Sequence, residues 1–68
     1  MTGQLDEHAW KWRFVERLAE LFVKDGLDAR AAVANAHAYS DDCYPRRKDG
    51  DPKSEAEIAY RELKADTF

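Results

Sequence analysis

Residues 5–26 read LDEHAWKWRFVERLAELFVKDG and carry the strongest helical pattern in this chain. Their apolar side chains recur every three or four positions, which places them along one side of an α-helix. The members of this apolar stripe are Trp10, Phe14, Val15, Leu18, Ala19, Leu21 and Phe22. Asp6 is suited to cap the start of a helix, and Gly26 is suited to the left-handed conformation that ends one. The pattern therefore predicts a first helix over residues 6–25, with its apolar side buried.

An alanine-rich segment predicts a second helix over residues 28–39, because alanine has the highest helix propensity. Asp28 stands where it can cap the start of this helix. The connection through Gly26 and Leu27 is short, which favours antiparallel packing of the first two helices. We expect the second helix to meet the first through one face, made of Ala29, Ala32, Val33, Ala36 and Tyr39.

A third helix is predicted over residues 52–66, and its start can be placed in two ways. In one, Asp51 caps the helix and Pro52 takes the first helical position. In the other, Ser54 and Glu57 form a capping box. Either start gives the helix the same apolar face, made of Ala56, Ala59, Tyr60 and Leu63.

Residues 40–53 predict a long loop, because they contain both prolines, one of the three glycines and mostly polar or charged side chains. No segment has the alternating pattern of a β-strand. The sequence as a whole predicts an all-α fold: a single small three-helix domain over residues 1–68, with a long loop between helices 2 and 3.

The size of the chain limits its stability, and its cysteine content indicates the compartment in which it works. A chain of 68 residues buries roughly 60% of its unfolded surface, which leaves a thin margin of stability. The single cysteine, Cys43, excludes an internal disulfide and fits a reducing compartment. No apolar run approaches the roughly 20 residues that cross a bilayer, and residues 1–6 lack the features of a signal peptide. We expect a cytoplasmic protein that binds no membrane and exists as a monomer or a homodimer.

The residues that usually carry chemistry are few and poorly spaced. His8, His37 and Cys43 lack the spacing of a zinc site. Asp41 and Asp42 beside the cysteine raise the pKa of its thiol and make it a poor nucleophile. We therefore expect no catalytic residue, no metal and no cofactor, and thus no enzyme. The net charge of −3 also argues against a dedicated nucleic-acid binder, which usually has a basic excess.

Trp12 and Ile58 are the two large apolar residues that the predicted core accounts for least. Each has two interpretations: packing at the rim of the core, or exposure as an anchor for a partner or a second copy. Tryptophan is enriched among the residues that dominate binding energy. The charged residues that we expect around such anchors are Glu16, Glu20, Glu55 and Glu62, together with Arg46 and Arg47. The glutamates would steer the protein toward a basic groove on its partner, and the arginines are either solvated or in contact with that partner.

Several short features together resemble a type of open reading frame common in phages, prophages and other mobile elements of proteobacteria. They are Trp12-x-Phe14, Arg17-Leu18, Gly26-Leu27-Asp28 and Ala36, followed by Asp51-Pro52 and a Glu/Ala-rich end. Anti-CRISPR proteins are similar in size, in the lack of catalytic residues and often in acidic character. The resemblance implies a protein that works by binding a host or phage macromolecule.

We therefore expect a non-enzymatic interaction protein, and in particular a phage or mobile-element inhibitor. It would bind and block a bacterial defence complex, as anti-CRISPR proteins do, and its partner would be a larger protein or a ribonucleoprotein complex. The alternative is a small nucleic-acid-binding transcriptional regulator. This alternative is supported by the basic triplet Arg46-Arg47-Lys48 and by the helix-turn-helix-like junction of the first two helices.

Overall fold

The computed structural model describes residues 6–66, and this range contains three α-helices. They are α1 (Glu7–Lys24), α2 (Ala29–Arg47) and α3 (Pro52–Asp66). No strand occurs among the described residues, which confirms the prediction of an all-α, three-helix fold. Residues 1–5 and 67–68 of the predicted domain lie outside the described residues.

Helix α1 begins and ends where its capping residues predict. The Asp6 carboxylate accepts a hydrogen bond of 2.8 Å from the backbone N–H of Ala9. Gly26 follows the helix with a φ of +101°, a conformation that residues with a Cβ rarely adopt. The N–H groups of Gly26 and Leu27 donate to carbonyls of the last helical turn, which is the Schellman arrangement. The turn thus reverses the chain without leaving these backbone groups unsatisfied.

Helix α1 packs against both other helices, whereas α2 and α3 hardly touch each other. The Lys11 ammonium, near the start of α1, lies 3.1 Å from the Asp41 carboxylate in the second half of α2. These two helices therefore run antiparallel, as the short connection predicted. Asp25 at the end of α1 lies 3.2 Å from Lys64 near the end of α3, so α3 runs parallel to α1.

The buried core follows the predicted stripe of α1. Its members are Trp10, Phe14, Val15, Leu18 and Ala19 of α1, Ala32 and Ala36 of α2, and Ala56 of α3. Since α2 and α3 contribute only alanines to this set, their backbones can approach α1 closely. The one buried polar residue in the described range is Ser40, whose hydroxyl donates to the His37 carbonyl over 2.9 Å.

The face of α2 that meets α1 is narrower than the sequence pattern predicted. The buried residues of α2 are Ala32, Ala36 and Ser40, a single i, i+4 row. Val33 and Tyr39 were expected on the same face but are exposed. Each helical residue turns the side chain by about 100°, so Val33 points well away from its buried neighbour Ala32. The prediction that Ala29 also packs there is wrong, since it too is exposed.

The predicted long loop between helices 2 and 3 is wrong. Helix α2 continues to Arg47, and only residues 48–51 connect it to α3. Helix α3 then begins at Pro52, where the Asp51 carboxylate accepts a hydrogen bond of 3.0 Å from the N–H of Ser54. Of the two predicted starts, the Asp51–Pro52 start is therefore the one that the chain uses.

Tertiary contacts keep the second half of α2 helical despite Pro45 inside it. Proline lacks a backbone N–H and clashes with the carbonyl of the preceding turn, so the composition of this segment favours a loop. The Tyr44 ring, however, packs edge-on against the Trp10 ring, with centroids 5.4 Å apart. Arg46 also pairs with Asp42 one turn earlier, at 2.6 Å. Packing against α1 thus outweighs the local preference of this segment.

Candidate protein-binding surfaces

The eight residues predicted to bind a partner fall on two separate surfaces. Trp12, Glu16 and Glu20 lie on α1 and are exposed. The other five line the gap between α2 and α3; they are Arg46, Arg47, Glu55, Ile58 and Glu62. The sequence pattern gives no sign of this division, because it depends on which helices are neighbours.

The first surface, here called the Trp12 face, lies where α1 and α2 meet on the outside of the molecule. It consists of Trp12, Glu16, Glu20 and Val23 of α1 and Val33 and His37 of α2. The indole of Trp12 is 51% exposed, and its nearest aromatic neighbour is the His37 ring, with centroids 6.5 Å apart. Val23 is 46% and Val33 40% exposed. The face therefore presents three large apolar side chains to solvent.

The glutamates of the Trp12 face differ in their partners. Glu20 accepts from the Arg17 guanidinium over 2.7 Å, and that guanidinium also reaches Glu57 of α3 over 2.9 Å. These two carboxylates raise the pKa of Arg17. Glu16 has no ion-pair partner among the described residues. An open depression of about 650 Å³ runs beside Glu16, Glu20 and Val33.

The second surface is the α2–α3 groove. Its α2 wall is formed by Tyr39, Asp42, Cys43, Arg46 and Arg47, and its α3 wall by Glu55, Ile58, Ala59, Glu62 and Leu63. The groove holds two small hollows of about 40 and 160 Å³. Ile58 is half-buried here, which lies between its two predicted interpretations.

The arginines of the groove face carboxylates at close range. Arg46 contacts Asp42 on its own helix, and the Arg47 guanidinium lies 3.8 Å from the Glu55 carboxylate across the groove. Glu62 has no ion-pair partner among the described residues. The α2 wall thus carries two arginines and the Asp42 carboxylate, whereas the α3 wall carries two carboxylates.

Cys43 lies in the same groove with its thiol partly covered. Burial raises the pKa of this thiol above its ordinary value, and the neighbouring Asp42 adds to the rise. The direction of the shift is the predicted one, but its main cause is desolvation; of the two flanking acids only Asp42 contributes, and Arg46 opposes it. A thiol with a raised pKa carries little thiolate at neutral pH, which makes it a poor nucleophile or metal ligand.

The described residues contain no candidate metal site. Among residues 6–66, no group of three or more His, Cys, Asp or Glu side chains could hold a metal ion. In the same range, every buried side-chain nitrogen or oxygen atom has a hydrogen-bond partner. None of the described helices combines the length and the apolar character needed to cross a bilayer.

Sequence reasoning missed two members of the Trp12 face. Val33 was expected on the face of α2 that meets α1, and Val23 was not counted among the candidate binding residues, yet both are exposed. The signal for Val23 was present in the spacing, because positions 12, 16, 20 and 23 repeat at three- and four-residue intervals on α1. Comparisons with protein-family models, characterised proteins and solved structures find no match to this chain.

Proposed function

We propose that this protein is a non-catalytic binding module that docks on a larger protein or ribonucleoprotein through the Trp12 face. The observation that carries this proposal is the half-exposed indole of Trp12 on α1. An indole left in water contributes little to folding, whereas the same side chain dominates binding energy when a partner covers it. Val23 and Val33 extend the apolar area around it.

The charges around Trp12 indicate a partner with a basic surface. Glu16 and Glu20 border the apolar residues, and the chain as a whole has a net charge of −3. Acidic side chains at the rim of an interface mainly accelerate association with a basic partner, while the apolar centre slows dissociation. Glu16 is free to pair across such an interface, because it has no ion-pair partner among the described residues.

The resemblance to short phage and mobile-element proteins supports a narrower form of this proposal. In that form the module acts in the bacterial cytoplasm as an anti-CRISPR-like inhibitor, covering a basic functional surface of a defence complex. A rigid three-helix body suits this task, because it excludes other ligands from the covered surface without any chemistry.

The alternative role, a transcriptional regulator that contacts nucleic acid, has less support in the structure. Arg46 and Arg47 of the basic triplet each face a carboxylate, which offsets their attraction for phosphate. In a gel-shift series this alternative requires binding that weakens steeply as salt rises.

Affinity capture from bacterial lysates, with three versions of the protein as bait, tests the proposal. The versions are the wild type, Trp12→Ala and Tyr39→Ala, the last of which removes an exposed aromatic side chain from the α2–α3 groove. We expect a host protein or ribonucleoprotein that the wild type and Tyr39→Ala retain and that Trp12→Ala loses. Retention that does not depend on Trp12 would contradict the proposal.

A plaque assay tests the narrower form. Expression of the wild type in a strain with an active CRISPR system should restore phage growth, and Trp12→Ala should not. The Tyr39→Ala variant is the matched control and should behave as the wild type. If Trp12→Ala restores growth equally well, the Trp12 face is not the inhibitory surface.

A further inference from the structure

We infer that the α2–α3 groove is the interface of a symmetric homodimer, in which a second copy of this chain covers the open side of the bundle. This inference is independent of the proposed function, which uses the Trp12 face on the other side of α2. It rests on the incomplete closure of the bundle and on the distribution of charge across the groove.

The bundle is open between α2 and α3. Both helices pack on α1, but they hardly touch each other, so half-buried side chains line the gap between them. Those that line the gap and also pack against the core include Cys43 and Ala59. Cys43 and Ala59 are small, which lets another helix approach the groove closely. A second pair of helices laid over this side would complete a four-helix arrangement.

The two walls of the groove carry opposite charges at matching heights. Arg47 and Glu55 face each other across it, 3.8 Å apart. The Arg46 guanidinium, drawn back toward Asp42 by their ion pair, borders the same hollow as Glu62. With Asp42 included, the α2 wall has a net positive charge from Arg46 and Arg47, and the α3 wall has a net negative charge from Glu55 and Glu62.

A groove with one positive and one negative wall is complementary to itself. A two-fold axis that runs along the groove, parallel to the helices, places α2 of one copy over α3 of the other without shifting their heights. Arg46 of each copy then meets Glu62 of the other, and Arg47 meets Glu55. Such an isologous contact repeats each ion pair twice, as two-fold symmetry requires.

The size of the groove indicates a weak dimer. Helix α3 has 15 residues, which makes the shared face roughly 22 Å long at about 1.5 Å per residue. Two neighbouring helices give it a width of roughly 20 Å, which is at the small end for a specific interface. We therefore expect dissociation in the micromolar range, of the order of 10 μM.

Sedimentation equilibrium over a wide concentration range, with a reducing agent present, tests the dimer. The wild type should shift from the 7.8 kDa monomer to twice that mass as concentration rises. Arg46→Glu places a carboxylate opposite Glu62 of the other copy, and Glu62→Arg places a guanidinium opposite Arg46 of the other copy, so each variant alone should dimerise at least about tenfold more weakly.

Mixing the two variants gives the decisive result. In a mixed dimer, Glu at position 46 faces Arg at position 62, and Glu62 of the first copy faces Arg46 of the second. We expect the equimolar mixture to recover the affinity of the wild type. Arg61→Glu and Glu16→Arg make the same changes of net charge outside the groove, and neither should weaken the dimer of the wild type.

Three outcomes would overturn the inference. The first is a wild type that stays monomeric up to about 1 mM. The second is a dimer that the groove variants leave intact, since it would use another surface. The third is equal weakening by the control variants, because total charge rather than the groove would then govern association. Far-UV circular dichroism on each variant shows whether the helices are intact.

Discussion

Trp10 and Trp12 stand two residues apart on α1 and lie in opposite surroundings. Two helical steps turn a side chain by about 200°, so the two indoles point to nearly opposite sides of the helix. Trp10 is 2% exposed and Trp12 is 51% exposed. Trp10 therefore stabilises the fold, whereas Trp12 is accessible to a binding partner.

The surroundings of Trp10 bring all three helices together. Its ring stacks on Phe14 of α1 and meets Tyr44 of α2 edge-on, with both centroid distances at 5.4 Å. Its Nε1–H donates to the carbonyl of Gly50, just before α3, over 2.9 Å. Around Trp12 the structure offers one tilted ring, His37. Position on the helix, and not residue type, therefore decides which tryptophan holds the fold together.

Trp10→Ala should have the largest effect on stability. Removing a buried aromatic side chain leaves a cavity and costs about 3–5 kcal/mol of the free energy of unfolding. A domain of this size has a total of only about 5 kcal/mol or slightly more, so we expect the variant to be largely unfolded. Chemical denaturation followed by circular dichroism measures this loss. A loss below about 1 kcal/mol would show that Trp10 is not the centre of the core.

Pro45→Ala tests whether packing around Trp10 holds a locally unfavourable turn. We expect the free energy of unfolding to rise by about 1 kcal/mol, because alanine restores a backbone N–H and removes the clash. The greater entropy of the unfolded chain without proline offsets part of this effect. The denaturation midpoint should rise. Pro52→Ala is the matched control: this proline stands at the first position of α3, where it suits the helix, so its loss should not stabilise the protein. No gain from Pro45→Ala would contradict this account of α2.

The contrast also shows what the sequence could and could not predict. Helix α1 was predicted nearly to the residue, because its stripe, its Asp6 cap and its Gly26 stop are all local signals. The end of α2 was not, because the helicity of residues 40–47 depends on Tyr44 meeting Trp10 from a distant part of the chain. The composition of residues 40–47 gives no indication of that contact.

The candidate binding residues were found as a set, but their arrangement was not. Trp12 was singled out as a residue that the predicted core accounts for least, and of its two interpretations the structure favours exposure, at 51%. Ile58 was paired with it, yet the structure places Ile58 in the α2–α3 groove, on another surface. A helical wheel gives the face of each helix, whereas the neighbours of that face depend on how the helices pack. Whether either surface binds a partner stays a prediction.

Asp25→Asn measures how much the exposed polar network around Asp25, at the C-terminal end of α1, contributes to the free energy of unfolding. The Tyr60 hydroxyl and the Lys64 ammonium both favour the charged carboxylate and lower the pKa of Asp25 below its ordinary value. The stabilisation is therefore complete above about pH 3.9, the unfolded value, and is lost as pH falls through the lower folded pKa.

We expect Asp25→Asn to reduce the free energy of unfolding slightly at neutral pH, and the difference from the wild type to vanish in strong acid. Denaturation series between neutral and acidic pH measure this difference. Glu16→Gln is the control, because Glu16 has no ion pair among the described residues and its loss should give no such pH dependence. A difference that grows toward low pH would contradict the sign of the shift.

Trp12→Ala should have the smallest effect on stability and the largest on binding. Half of the indole is already in water, so its removal should change the free energy of unfolding by no more than about 0.5 kcal/mol. The same denaturation experiment used for Trp10→Ala measures it. A loss of several kcal/mol would show that Trp12 belongs to the core after all and would remove the anchor of the proposed interface. If Trp12→Ala keeps the stability of the wild type but no longer captures the partner, the loss of binding arises at the interface, because the fold does not need this side chain.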